Sequence, residues 1–245
     1  MNKEDLKNLA NNPNFISGIY NYCDRWCERC PFTSRCMVLA MEEQQFDDPT
    51  AHDLNSEAFW QAISETLQVT LEMVREMAEE QGIDLDSLDV EENLDEQRRI
   101  KEAARDHECA RAAAVYADMV DAWFDSAEDL FAEKEDELNL RIRLNLPGAD
   151  PQDEAASIED AVEIIRWYQY QIEVKLLRGL HGTLEERPAI LDGFPKDSDG
   201  SAKVALIAMD RSIAAWGELY RHFPGGEDDI LDLLVQLDRL RRKTE

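Results

Sequence analysis

Apolar side chains recur along most of this chain at three- and four-residue intervals, the period of a helix with one side turned inward. From Asn55 to Gln81 the positions Trp60, Ile63, Leu67, Leu71, Val74 and Ala78 form one such stripe, with Glu57, Glu65 and Glu72 off it. Gly82 follows, at the place where helices commonly end on a left-handed residue. A longer helical pattern runs from about Glu91 to Glu137 through Ala110, Ala113, Ala117, Val120, Phe124, Ala127 and Phe131. Its alanines permit close helix approach.

Pro151 opens a third helix, expected to end near Gly179 or Gly182. Ile158, Ile165, Ile172 and Leu176 lie on one side of it, and Trp167 and Val174 on the other. Two greasy faces predict a central helix. A fourth helix is expected from Ser201, as N-cap, to Pro224. A fifth, Glu227 to Arg242, opens with acids and closes on Arg239, Arg241 and Arg242, which complements its dipole.

One stretch has a different period. Leu138, Leu140, Ile142, Leu144 and Leu146 alternate with polar residues, as in a half-buried strand. No second alternating run exists to pair with it, so the expectation is a fraying helix end or an extended connector. The predicted fold is all-α: a helical bundle of four main helices plus short extra helices, with an N-terminal Cys-rich metal-binding segment. Residues 1–50 make up that segment, packed on the bundle, and residues 51–245 the bundle domain.

Charge narrows the partners. The chain has 54 acidic and 26 basic residues, a net charge of −28. Phosphate binding is driven by clustered Lys and Arg, so the balance argues against nucleic acid and against anionic membrane surfaces. No apolar run is long enough to span a bilayer. Met1–Asp5 starts no basic-then-apolar leader, and the expected location is the cytoplasm. An acidic exterior suits docking to a basic redox protein.

The cysteines carry the chemistry. Four of the five fall within 14 residues, Cys23, Cys27, Cys30 and Cys36, at C-x3-C-x2-C-x5-C spacing. In an intracellular chain such clustering favours metal over disulfide. Four thiolates from so short a loop can supply one sulfur to each corner of a [4Fe-4S] cubane. The short gaps and the Pro31 after Cys30 are similar to ferredoxin-like runs. Tyr20, Tyr22, Trp26 and Phe32 interleave with the ligands and are expected to shield a cluster from water. Arg25, Arg29 and Arg35 make the window mildly basic and are expected to offset thiolate charge.

Zinc is the rival, as a closed four-cysteine structural site, although only Cys27 and Cys30 have knuckle spacing. The first three cysteines, eight residues in all, resemble the cluster motif of radical S-adenosylmethionine enzymes. That family's repeated β/α pattern is absent here, and Cys36 would fill the iron corner those enzymes leave open.

Helical bundles also carry carboxylate sites on facing helices. No Glu-x-x-His is present, but Glu218 and His222 stand at i, i+4, Glu102 and Asp106 continue the long stripe, and Glu163 and Glu173 join Arg166 and Tyr170 in a polar row. These acids and His222 are the catalytic candidates. Cys109 reads as a small core residue, His107 as its flank, His181 as a helix-end contact and His52 as a substitute ligand. Asp197-Ser198-Asp199-Gly200 holds part of a calcium-loop pattern without the remaining ligands.

The functional expectation is an iron–sulfur protein that transfers single electrons or senses oxidants through Cys23, Cys27, Cys30 and Cys36. The alternatives are a structural or adaptor protein with a zinc-stabilised N-terminal segment, and a carboxylate-site bundle enzyme fed by the cluster.

Overall fold

The computed structural model describes residues 3–45, 55–84, 90–145, 147–148, 150–185 and 196–245. Every regular element among them is helical, so the fold class is all-α. The chain divides into two compact units, Met1–Glu96 and Gln97–Glu245.

The first unit holds α1 (Lys3–Ala10), three short 3₁₀ turns, α2 (Met37–Gln45) and α3 (Glu57–Glu80). Gly82, at φ +68°, ends α3 as expected. Its N–H donates to the Glu79 carbonyl and the Ile83 N–H to the Ala78 carbonyl, the paired bonds of a Schellman turn. The apolar stripe of α3 forms, but Trp60, Leu67, Leu71 and Val74 are exposed and only Ala78 is buried. Leu9, Trp26 and Ala78 are the buried apolar residues among those described in this unit.

The chain continues through α4 (Val90–Asp106) into the second unit: α5 (Glu108–Ser126), α6 (Glu128–Leu144), α7 (Pro151–Tyr168), α8 (Gln171–Leu184), α9 (Asp197–His222) and α10 (Glu227–Thr244). The single long helix expected over 91–137 is thus three. His107, extended at ψ 140°, ends the first, and its ring Nδ1 accepts the Cys109 N–H as the N-cap of α5. Ala127 forms the second joint. The helix from Pro151 is likewise two. It starts as predicted, with the Asp150 carboxylate accepting from the Gln152 N–H and Pro151 in the first turn.

The break falls at Gln169–Tyr170, where side chains clamp it onto α5. Gln169, buried, donates to the Ala117 carbonyl at 3.0 Å, while Tyr170 and Arg166 both bond Asp121. Val174 is exposed and Trp167 half-buried, so the second greasy face of this segment is covered only in part.

The central helix is α9, which packs against α7, α8 and α10. Hydrophobicity alone understates it, because much of its buried surface is Ser198, Gly200, Ser201, Ala205, Ala208, Ser212 and Ala215. Small residues let three neighbours approach one axis. Gly179 and Gly182 do the same from α8 and do not end it: a Cβ on Gly182 would stand 3.2 Å from the Ser198 Cβ, and one on Gly179 3.4 Å from the Ser198 carbonyl. Helix α9 starts at Asp197, ahead of Ser201, with Asp197 and Asp199 in its first turn. Ser201 is therefore an interior residue, not a cap, and the Asp197–Gly200 stretch is helix, not a cation loop.

The alternating stretch is helical through Leu144. At about 100° per residue, Leu138 and Ile142 share one face and Leu140 and Leu144 another. Leu138 is buried and the other three are exposed, so the alternating pattern here puts apolar residues on two opposite helix faces, only one of which reaches the core. Leu146 lies outside the described residues.

The core of this unit is aromatic at one end. Trp123 makes edge-on contacts with Phe124, Phe131, Trp216 and Phe223, joining α5, α6 and α9. Ile230, Leu233, Leu237 and Leu240 of α10 close it from the side. None of the described helices is long and apolar enough to cross a membrane.

Candidate functional site

The cysteine window is built from the three 3₁₀ turns, Ile19–Tyr22, Cys27–Arg29 and Thr33–Arg35. Each turn is followed directly by a cysteine in extended conformation: Cys23, Cys30 and Cys36 at ψ 131°, 124° and 113°. Cys27 begins the middle turn. The window thus presents its sulfurs at repeated backbone corners, a consequence of short gaps that leave room for one tight turn between ligands.

Two of the sulfurs already accept peptide hydrogens. The Arg25 N–H donates to Cys23 Sγ at 3.2 Å and the Phe32 N–H to Cys30 Sγ at 3.4 Å. Between Cys23 and Cys27 the chain reverses sharply: Arg25 takes φ +63°, and the Trp26 N–H donates to the Asp24 carboxylate at 3.2 Å. The Arg35 guanidinium donates to the Asn14 carbonyl and the Ile16 N–H to the Arg35 carbonyl, tying the loop after α1 to the last turn.

The thiols are half-buried. Burial pushes the Cys27 thiol above its ordinary value, and the Cys23 thiol, Glu42, the Cys36 thiol and Glu28 push it further. Of the window's arginines, Arg29 lies over the Trp26 ring at 4.2 Å and Arg35 donates to the Asn14 carbonyl. Aromatic shielding is also partial, since Trp26 is buried but Tyr20, Tyr22 and Phe32 are each about half exposed. Among the described residues no group of three or more His, Cys, Asp or Glu side chains is gathered at metal-binding distance.

The carboxylate candidates separate. Glu102 and Asp106 are exposed on α4, Glu163 is exposed on α7 and Glu173 is half-buried on α8. Glu218 and His222, by contrast, form part of a half-buried network that the spacing of α9 alone does not reveal. His222 Nε2 lies 3.0 Å from Glu218 and its Nδ1 3.2 Å from Glu154 on α7. Glu218 also accepts from the Ser157 hydroxyl at 2.9 Å and pairs with Arg221. Glu154 binds Arg141 at 2.6 Å and Lys134 at 3.4 Å, both on α6.

Burial raises the Glu154 pKa, but the Arg141 hydrogen bond and the charge of Lys134 outweigh it and leave this carboxyl below its usual value. The imidazole meets its two carboxylates through opposite ring nitrogens, so the three cannot share a single cation. This network joins three helices. The network escaped the sequence reading because Glu154 lies on α7, Lys134 and Arg141 on α6, and Glu218 and His222 on α9, and no period along the chain links the three helices.

Cys109 is buried, its thiol raised by burial and by Glu108, as befits a core residue. His181 faces Glu185 one turn on, at 3.8 Å. His52 lies outside the described residues. No family model, no curated protein and no solved structure matches this chain.

Proposed function

We propose that Cys23, Cys27, Cys30 and Cys36 hold a [4Fe-4S] cluster, and that the protein passes single electrons or senses oxidants through it. The observation that carries this reading is the repeated placement of thiols at the ends of 3₁₀ turns, with peptide hydrogens donated to two of the sulfurs. Peptide N–H donors stabilise sulfur bearing negative charge, the state a thiolate ligand must adopt, and they tune cluster potential. When bound, such a group would supply one-electron chemistry. The chain's own contribution is to furnish the sulfurs and to place the Arg25 and Phe32 amides on two of them, in a window whose Tyr20, Tyr22 and Phe32 stay exposed.

A second observation supports a metal in this position. The first unit has few buried apolar side chains among its described residues, and units with little core need another source of stability, such as bound metal. Half-exposed thiols beside exposed aromatics suit contact with a redox partner, and the acidic surface suits a basic one. On this reading the protein works in the cytoplasm.

Anaerobic purification tests the reading. Iron and acid-labile sulfide near roughly four each per chain, a broad absorption near roughly 400 nm and its bleaching by dithionite are expected. A colourless protein with one zinc per chain and no redox response would replace the redox role with the structural one.

A further inference from the structure

We propose that the groove between α4 and α8 binds a small amphipathic organic anion, whose head group is held by Lys101 and Arg105. The groove has a volume of about 430 Å³, within the range of small-molecule sites, and lies wholly in the second unit. Ala104 on one wall and Leu177 with Gly182 on the other give it an apolar floor. Its remaining lining is polar, most of it ionic.

Most of that charge is internally cancelled. Arg178 grips Asp197 through two bonds of 2.5 and 2.8 Å, and His181 faces Glu185, which also accepts from Gln97 at 2.8 Å. Two cations are left. Lys101 and Arg105 stand one turn apart on α4 and line the groove together, and among the described residues neither has a carboxylate partner. What the groove offers is thus two adjacent cations, free of carboxylate partners among the described residues, beside an apolar floor. Side chains one helical turn apart lie close enough to serve one head group. An acyl or aryl body of roughly eight to ten carbons fits the floor, with a carboxylate or phosphate toward α4.

The site is independent of the cysteine window. Isothermal titration of the full chain with decanoate, octyl phosphate, octanol and inorganic phosphate tests it. One-to-one binding of at least one amphiphilic anion is expected, with octanol and inorganic phosphate at least tenfold weaker. The tighter of the two amphiphiles identifies the head group. Arg105→Glu and Lys101→Glu are each expected to weaken binding at least tenfold with unchanged circular dichroism, while Arg239→Glu on α10 leaves it unchanged. Equal binding of octanol, equal binding of inorganic phosphate, no change in either charge-reversed variant, or absence of binding by both amphiphiles would overturn the proposal.

Discussion

Trp216 donates its indole N–H to the hydroxyl oxygen of Tyr116 across 3.0 Å, and both side chains are wholly removed from solvent. The bond joins the central helix α9 to α5 at a point where neither group can reach water. Tyr116→Phe keeps the ring and orphans the indole N–H, and a cost of about 1–3 kcal/mol is expected. A lower urea midpoint with an unchanged slope checks it.

The same hydroxyl makes an alkaline prediction. Burial pushes the Tyr116 pKa up to about 12, against an ordinary value of 10.0. The unfolded chain therefore releases this proton first, the native state binds more protons in the interval, and stability falls as pH rises from about 10 toward about 12. The slope of stability against pH in that window is expected to shrink in Tyr116→Phe.

At the acid end, Glu154 has the opposite sign. Its carboxyl lies below the usual value in the folded protein despite its burial, because Arg141 and Lys134 hold the charged form. Its contribution is present above the unfolded carboxylate value and is lost as pH falls through the folded one. Glu154→Gln is expected to cost about 1–2 kcal/mol at neutral pH and to flatten the stability curve between roughly pH 5 and 3, as read by urea unfolding at each pH.

Helix contact through small residues predicts a further effect. Gly179 is buried against Ser198 and Ala202 of α9. A leucine there must push the two helices apart, at a cost of about 1–3 kcal/mol. Gly217, a helical glycine of α9 with open space where a Cβ would stand, is the control. A drop in thermal midpoint for Gly179→Leu, absent for Gly217→Leu, would show that the cause is packing and not the loss of a glycine.

Loss of the proposed cluster is expected to affect the two units differently. Cys23→Ser is expected to abolish iron binding and the visible absorption. Amide exchange should quicken around residues 18–36 and stay slow around Tyr116, Ile165 and Met209, since the buried core of the second unit contains none of the four thiols. Equal loss of protection in both places would contradict a local role for the centre.

Much of the all-α architecture is legible in side-chain period, because burying one face of a helix imposes a three-to-four spacing that survives in the chain as written. The Gly82 stop, the Pro151 start and the dipole-matched ends of α10 are local events between near neighbours and could be read directly. The breaks at His107 and Gln169 could not. A buried glutamine bonding the Ala117 carbonyl, 52 residues away, has no local signature.

The helical class, the acidic balance and the density of thiols between Cys23 and Cys36 were all readable from the chain as written, since each is a property of composition or short-range spacing. Packing settled the rest: that the small-residue helix α9 is central, that His222 bridges Glu154 and Glu218, and that Lys101 and Arg105 share a groove with α8. Those outcomes depend on which helix faces meet, and a close approach between glycines, alanines and serines is favoured by shape rather than by hydrophobicity. Shape complementarity has no period along a chain, so it becomes visible only when the helices are packed.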